Sequence, residues 1–374
     1  HLENTYMINI KENASDVKKA IKKYGAVGIM YSHNDNGYHY INNSYNDKTN
    51  NRAGHAVMVV GWDDNYSKDN FRDGVKPEKD GAWLIRNSWG DGTGSYYNQS
   101  YFWMSYETFS LSDTAWVFDF SANDGYDNNY QVDGGLNVAH QSGYRKLANV
   151  FTTQAKQGVS SEDLKAVSMS ITSKTNVNYT IEIYTDLKDK TKPTSGTKQE
   201  TATTTGQTTY AGVYTIPLKS AVNLKPGTSY SVVVTTDTPA VDLEAAMTGD
   251  INDNNEMVWE NHVSSDNTAS YYFYGTGLAY SRNWNYQNVY GNFCIKAFTA
   301  NNVEKDSEKL VGRSLTLKDN IDMNYYMELP ESIKSNSNAY MEFTVNNSQP
   351  YKVSVNDAIP VEKNGKVIYK FACP

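Results

Sequence analysis

Cysteine is scarce in this sequence, with two residues in 374, Cys294 and Cys373. A disulfide framework is therefore excluded as the source of stability, although so low a count assigns no redox compartment. Long apolar runs are missing too: no stretch approaches the ~20 residues that a membrane-spanning helix needs. Lysine and arginine form no cluster on a candidate face, and the net charge is −8 with a pI near 5.3. That balance argues against nucleic acid as a partner. The segment His1–Ile10 has neither a basic n-region nor an apolar h-region, so no signal peptide is read in it.

What is present is aromatic and polar. Aromatic residues make up 13% of the chain, including 30 Tyr, while the mean hydropathy is only −0.65. A disordered chain carries far fewer rings, so the composition implies a folded protein with half-buried tyrosines on solvent-exposed β-sheets. The length implies two or three domains. One amphipathic helix is expected at Ala14–Tyr24, where Val17, Ala20, Ile21 and Tyr24 share a face, Ser15 is of capping type and Gly25 ends the turn. Strands are expected from Ala26 to Tyr31, 56–62, 82–89 and 101–107, with an Asn-rich loop from Ser32 to Asn51. From about Asn123 the composition shifts to Asn, Asp, Thr, Ser and Tyr, and short alternating runs recur between turn signals such as Pro226-Gly227. That spacing predicts an antiparallel β-sandwich. A polar, charged linker is expected at Ala300–Lys309, before a further β-rich stretch.

The candidate chemistry lies in the first of these segments. Gly54-His55-Ala56-Val57 opens one expected strand, and Asn87-Ser88-Trp89-Gly90 closes another. A lone histidine near a strand start is usually structural, and a lone Asn-Ser-Trp-Gly is unremarkable. In this order, on neighbouring strands, the two motifs resemble the papain family of cysteine peptidases. The helix followed by Gly25-Ala26-Val27 upstream is similar to that family, as are Gly90, Gly92, Gly94 and the aromatic strand 101–107 downstream. The resemblance covers roughly residues 10–110, the family's right-hand β-domain.

The resemblance implies a Cys-His-Asn mechanism for hydrolysing peptide or protein substrates, without a cofactor or metal. A thiol with a pKa near ~8.5 is mostly protonated at neutral pH and needs an imidazole beside it. His55 is expected to stabilise the thiolate and then protonate the leaving amine. Asn87 is expected to hold the ring through its side-chain oxygen, and Trp89 to cover that hydrogen bond. Val27, Ala53 and Ala56 are expected to border the pocket for the residue two before the scissile bond. The nucleophile is where the sequence departs from the family. The family's cysteine lies in a Cys-Gly-Ser-Cys-Trp-like motif roughly 130 residues before the histidine, and none of the 54 residues before His55 is cysteine. Cys294 and Cys373 have no such context and are read as structural. Thr93 also stands where the family often has tryptophan.

The simplest expectation is a C-terminal fragment of a secreted bacterial peptidase, inactive alone, whose left-hand domain with the nucleophile is missing from this chain. The domain division expected is 1–122 for the incomplete papain-like half, 128–299 for a β-sandwich that folds independently, and 310–374 for a truncated β module. Residues 128–299 resemble the lectin-like domain of secreted bacterial papain relatives, through Asp127–Gln131, Lys146–Phe151, Leu224–Tyr230 and Gly291–Phe298. Trp259, Tyr274, Trp284 and Tyr286 could stack on glycan rings there, or simply fill core and surface. Residues 310–374 are similar to a module repeated in cell-surface proteins of gut Firmicutes. The acidic clusters Asp124–Asp127 and Asp250–Asn254 offer oxygen donors but do not fit an EF-hand. The alternative reading is a non-catalytic extracellular adhesion or glycan-binding protein on a peptidase-like scaffold. Both readings place the protein outside the cell or on the bacterial surface.

Overall fold

The computed structural model describes residues 2–49, 54–90, 100–134, 144–245, 247–248, 260–261, 269–274, 279–282, 285–286, 289–303, 308–317, 321–344 and 349–374. The fold is mainly β, as the composition implies. Two compact units are present, His1–Asn302 and Val303–Pro374.

The first unit opens with β1 (Leu2–Asn9), α1 (Ala14–Tyr24), β2 (Val27–Tyr31), β3 (Tyr38–His39), β4 (Ser44–Tyr45), β5 (His55–Asp63), β6 (Ala82–Arg86), β7 (Tyr101–Ser105) and β8 (Thr114–Phe120). Helix α1 buries Val17, Ala20 and Ile21, and carries Asp16 in its first turn and Lys22 and Lys23 in its last, matching the helix dipole. Its N-cap is Asn13, so Ser15 lies inside the first turn instead of capping it. The reason is upstream: the Asn13 amide donates to the Asn9 carbonyl at 2.8 Å, and that turn fixes where the helix begins. Gly25, at φ +87°, ends the helix while its amide donates to the Ile21 carbonyl.

Side-chain alternation sorts these strands into two faces. Val27, Ile29 and Tyr31 of β2, Val57 and Val59 of β5, and Ala115 and Val117 of β8 join α1 in one buried core. Their neighbours Met30, Ala56, Met58, Trp116 and Phe118 fall on the other side of the pleat. There they are partly or fully exposed, with Met58 at 37% and Phe118 at 40%. An apolar outer face therefore accompanies the apolar inner one.

Strands β3 to β8, β2 and β1 run in the order β3-β4-β7-β6-β5-β2-β8-β1, and this sheet then continues through Ala211–Leu224, Val159–Ile171, Ile295–Val303 and Asn128–Tyr130. Facing those last strands is a second sheet containing Asn178–Thr185, Ser229–Thr236, Lys146–Thr152 and Ser270–Tyr274. Leu147, Ile181, Val232 and Val234 from one sheet and Leu164, Met169, Ile216 and Ile295 from the other fill the space between them. This is the packing of a β-sandwich. The polar stretch at 121–128 does not interrupt the sheet, because β1 pairs with β8 on one side and with Ala211–Leu224 on the other.

The second unit holds a four-stranded antiparallel sheet, in the order Lys309–Leu317, Ile321–Glu328, Lys366–Cys373, Ile359–Lys363, and a hairpin of Tyr340–Phe343 with Tyr351–Ser354. Its core is small, built on Phe343, Val355, Ala358, Phe371 and Cys373. A single helical turn at Glu331–Lys334 follows Pro330; it is too short to show a 3.6-residue period in sequence.

The β1 junction yields a test. Gly212 sits opposite Tyr6, where a Cβ would collide with the Thr5 carbonyl oxygen. Gly212→Ala should therefore destabilise this unit by about 1–3 kcal/mol, read as a lower urea midpoint for its unfolding.

Candidate active site

His55 opens β5 and Asn87 immediately follows β6, two strands paired in antiparallel register with Met58 opposite Arg86 and Val59 opposite Ile85. The pairing brings residues 32 apart in sequence together: His55 Nε2 lies 2.9 Å from Asn87 Oδ1. Asn87 is 4% exposed, and its own amide is tied to the Ser100 carbonyl at 2.8 Å. Its Oδ1 also accepts the Ser88 amide at 2.8 Å.

That second bond settles the chemistry of the first. A backbone N–H can only donate, so the atom it meets must be the oxygen of the Asn87 amide. An oxygen acceptor requires His55 Nε2 to carry the hydrogen. The Nδ1 lone pair is then left on the opposite side of the ring, and among the described residues it has no hydrogen bond. A neutral imidazole in this tautomer is ready to take or share a proton at Nδ1.

Rings enclose the imidazole. Trp89 stacks on His55 with centroids 4.9 Å apart and planes at 23°. Tyr31, opposite His55 across the β2–β5 ladder, meets it edge-on at 5.6 Å. Trp89 remains 48% exposed, so it shields one face of the Asn87–His55 bond from a position at the surface. His33 lies beyond it, with its ring edge-on to Trp89 at 4.7 Å. His33 Nδ1 is 3.0 Å from the Tyr31 hydroxyl and Nε2 is 3.2 Å from Asp35 Oδ1. Burial pushes the His33 pKa down, partly opposed by Asp35 and reinforced by His55. Burial also drives the Tyr31 and Tyr45 hydroxyls far above their ordinary range, so both stay protonated. By sequence alone His33 falls in a polar loop; its one signal is its position two residues beyond Tyr31 and the strand that pairs with β5.

Next to Asn87 lies a groove of about 490 Å³ lined by Gly28, Met30, Ala56, Met58, Trp116 and Phe118, among others. Of the residues expected to border the substrate pocket, Ala56 lines this groove. Val27 does not: it is fully buried and points into the core, because the pleat turns Gly28 and Met30, not Val27, toward the groove. Ala53 lies outside the described residues, as do Trp259, Trp284, the cluster 250–254 and the side chains of Tyr274 and Tyr286. Cys294 is buried in the sandwich, where desolvation raises its thiol pKa well above the ordinary value, so it is not a ready nucleophile. Cys373 is buried in the second unit. Among the described residues no group of three or more His, Cys, Asp or Glu is placed to hold a metal ion. No described helix is long and apolar enough to cross a membrane.

Residues 2–116 match the family model for papain family cysteine proteases, and residues 130–299 match that of a lectin like domain. The chain is papain-like at its start and lectin-like after it. Two solved structures are similar to the chain. One is the clostridial cysteine protease Cwp84 after propeptide cleavage, 26% identical at a TM-score of 0.59, with 81% of this chain and 71% of that one covered. The other comprises the cysteine protease and lectin-like domains of Cwp84, a surface layer associated protein of Clostridium difficile. It is 26% identical at a TM-score of 0.58, with coverage of 80% and 64%. This chain thus spans 64% of the length of that second protein. No curated protein matches the chain. His55, Asn87 and Trp89 lie within the papain-like segment.

The His33 environment gives a pH test. The folded protein holds His33 neutral, whereas the unfolded chain protonates it near ~6.5. The unfolded state therefore binds more protons as the pH falls below that value. Stability from this source is complete above it and lost as the pH drops toward the lowered folded pKa. Between pH 7 and 5.5 the urea midpoint of the native chain should fall more steeply than that of His33→Phe.

Proposed function

We propose that this chain is the histidine-and-asparagine part of a secreted papain-like cysteine endopeptidase, and that the nucleophilic thiol comes from a left-hand domain docked on its apolar groove. The observation that carries this reading is the Asn87 oxygen, whose two hydrogen bonds fix His55 with Nε2 protonated and Nδ1 open. A thiol placed at Nδ1 would lose its proton to the imidazole, giving a thiolate–imidazolium pair. Thiolate attack on a peptide carbonyl followed by proton delivery from Nδ1 to the leaving amine releases the first product; water, activated by the same nitrogen, then cleaves the acyl-enzyme. An amide suffices at position 87 because the thiolate already balances the imidazolium charge.

The groove supports the same reading. Met30, Met58, Trp116 and Phe118 present apolar surface beside Asn87, the kind of patch that marks an interaction site. Ala56 at its edge suits a roomy pocket for an apolar substrate side chain. We divide the chain into 1–122, 128–299 and 310–374, and place the protein outside the cell, in line with the surface layer association of Cwp84. A second reading, glycan binding by residues 130–299, rests on the lectin-like match; glycan-array signal that survives His55→Ala would favour it.

The purified chain should not cleave a fluorogenic peptide, since one member of a catalytic unit contributes little without the others. With the left-hand domain added, activity should appear and then vanish in His55→Ala, with kcat falling at least ~10³-fold. Activity of the chain alone, dependent on Cys294 or Cys373, would overturn the reading. The added domain should also raise the urea midpoint of the unit His1–Asn302, because it binds only the folded form.

A further inference from the structure

We infer that His33 is a positioning residue, a fixed wall that holds Trp89 over the Asn87–His55 hydrogen bond; this rests on the reading of His55 as the catalytic imidazole. Trp89 needs such a wall. It is 48% exposed, it lies beyond the end of β6, and Gly90 at φ +78° turns the chain away directly after it. Backbone pairing therefore does not clamp the indole, and its place is set by ring contacts. His55 takes one of these, stacked at 4.9 Å, and His33 takes another, edge-on at 4.7 Å. Edge-to-face and offset-stacked rings are both favourable arrangements, and together they define a slot for the indole.

His33 can serve as a wall because it is itself immobilised from three sides. Its Nδ1 meets the Tyr31 hydroxyl at 3.0 Å, its Nε2 meets Asp35 at 3.2 Å, and its ring stacks on Tyr45 at 5.6 Å and 20°. Tyr31 and Tyr45 are fully buried, and the Tyr45 hydroxyl donates to the Ser32 carbonyl at 2.8 Å. The hydrogen-bond directions are consistent: the protonated Tyr31 hydroxyl donates to Nδ1, and Nε2–H donates to the Asp35 carboxylate. A neutral ring results, which adds no charge beside His55 when that ring becomes imidazolium. A charged or absent group at this position would repel the imidazolium or release the indole.

The test uses the full chain and a local readout, exchange of the His55 Nε2–H with water followed by NMR on histidine-labelled protein. Opening Trp89 exposes that bond, so His33→Ala should speed exchange about 10-fold or more without an equal change in backbone amides elsewhere in the unit. Asp35→Ala, at an exposed carboxylate, should speed it by about 3-fold, since it frees the His33 ring without removing it. Should His33→Ala fail to fold, Asp35→Ala alone decides. In enzyme assembled with the left-hand domain, the same variants should lower kcat and leave KM nearly unchanged. Exchange that is unchanged in the folded His33→Ala protein, while Asn87→Ala accelerates it, overturns the inference and leaves the site reading standing. Exchange unchanged even in Asn87→Ala removes the site reading, and the inference with it.

Discussion

One amide oxygen organises this site. Asn87 Oδ1 accepts the Ser88 N–H and the His55 Nε2–H at once, 2.8 and 2.9 Å away. The first bond orients the amide and the second orients the imidazole, so a backbone turn at the end of β6 dictates which nitrogen of a ring on β5 is basic. Trp89 and Tyr31 lie against the His55 ring and restrict it, and His33 lies edge-on to Trp89 beyond them. The Asn87 Nδ2 is buried without a partner among the described residues. A buried unsatisfied donor costs stability, and its presence beside the one useful acceptor fits a residue selected for its oxygen.

The sheet makes that contact possible. Antiparallel pairing of β5 with β6 aligns the start of one strand with the end of the other, and β2 on the far side supplies Tyr31 opposite His55. The same pleat that turns Val57 and Val59 inward turns Ala56 and Met58 outward. The His55–Asn87 contact and the apolar groove are thus two consequences of one register. A one-residue slip of β5 would break the His–Asn contact and bury the wrong set of side chains.

Much of this was legible from the residues. The amphipathic face of α1, the buried strand after Gly25 and the alternating runs beyond 140 follow from period and turn chemistry, and the His55–Asn87 contact follows from two motifs on adjacent strands. Three features were not legible. Val27 was read as a pocket residue because a sequence does not show which face of the pleat the groove occupies. His33 looked like part of a polar loop because its partners, Tyr45 and Trp89, are 12 and 56 positions away, and no local pattern encodes such contacts. The continuity of the sheet across 121–128 depends on β1 pairing with Ala211–Leu224, about 200 positions away in sequence.

That last pairing changes how the two halves of the first unit should be regarded. Composition separates a papain-like segment from a lectin-like one, yet β1 carries backbone hydrogen bonds to both. Further ties run through its side chains, with Thr215 N–H donating to Asn4 Oδ1 at 2.9 Å and Val213 N–H to Thr5 Oγ1 at 3.0 Å. Tyr6 extends the junction into a ring cluster with Tyr24 of α1 and with Tyr210 and Tyr214. With β1 paired along both sides, this end of the papain-like sheet has no free edge, and the lectin-like strands act as its covalent cap. The apolar groove of β2, β5 and β8, which Asn87 also lines, lies away from that junction, on the outer side of the pleat.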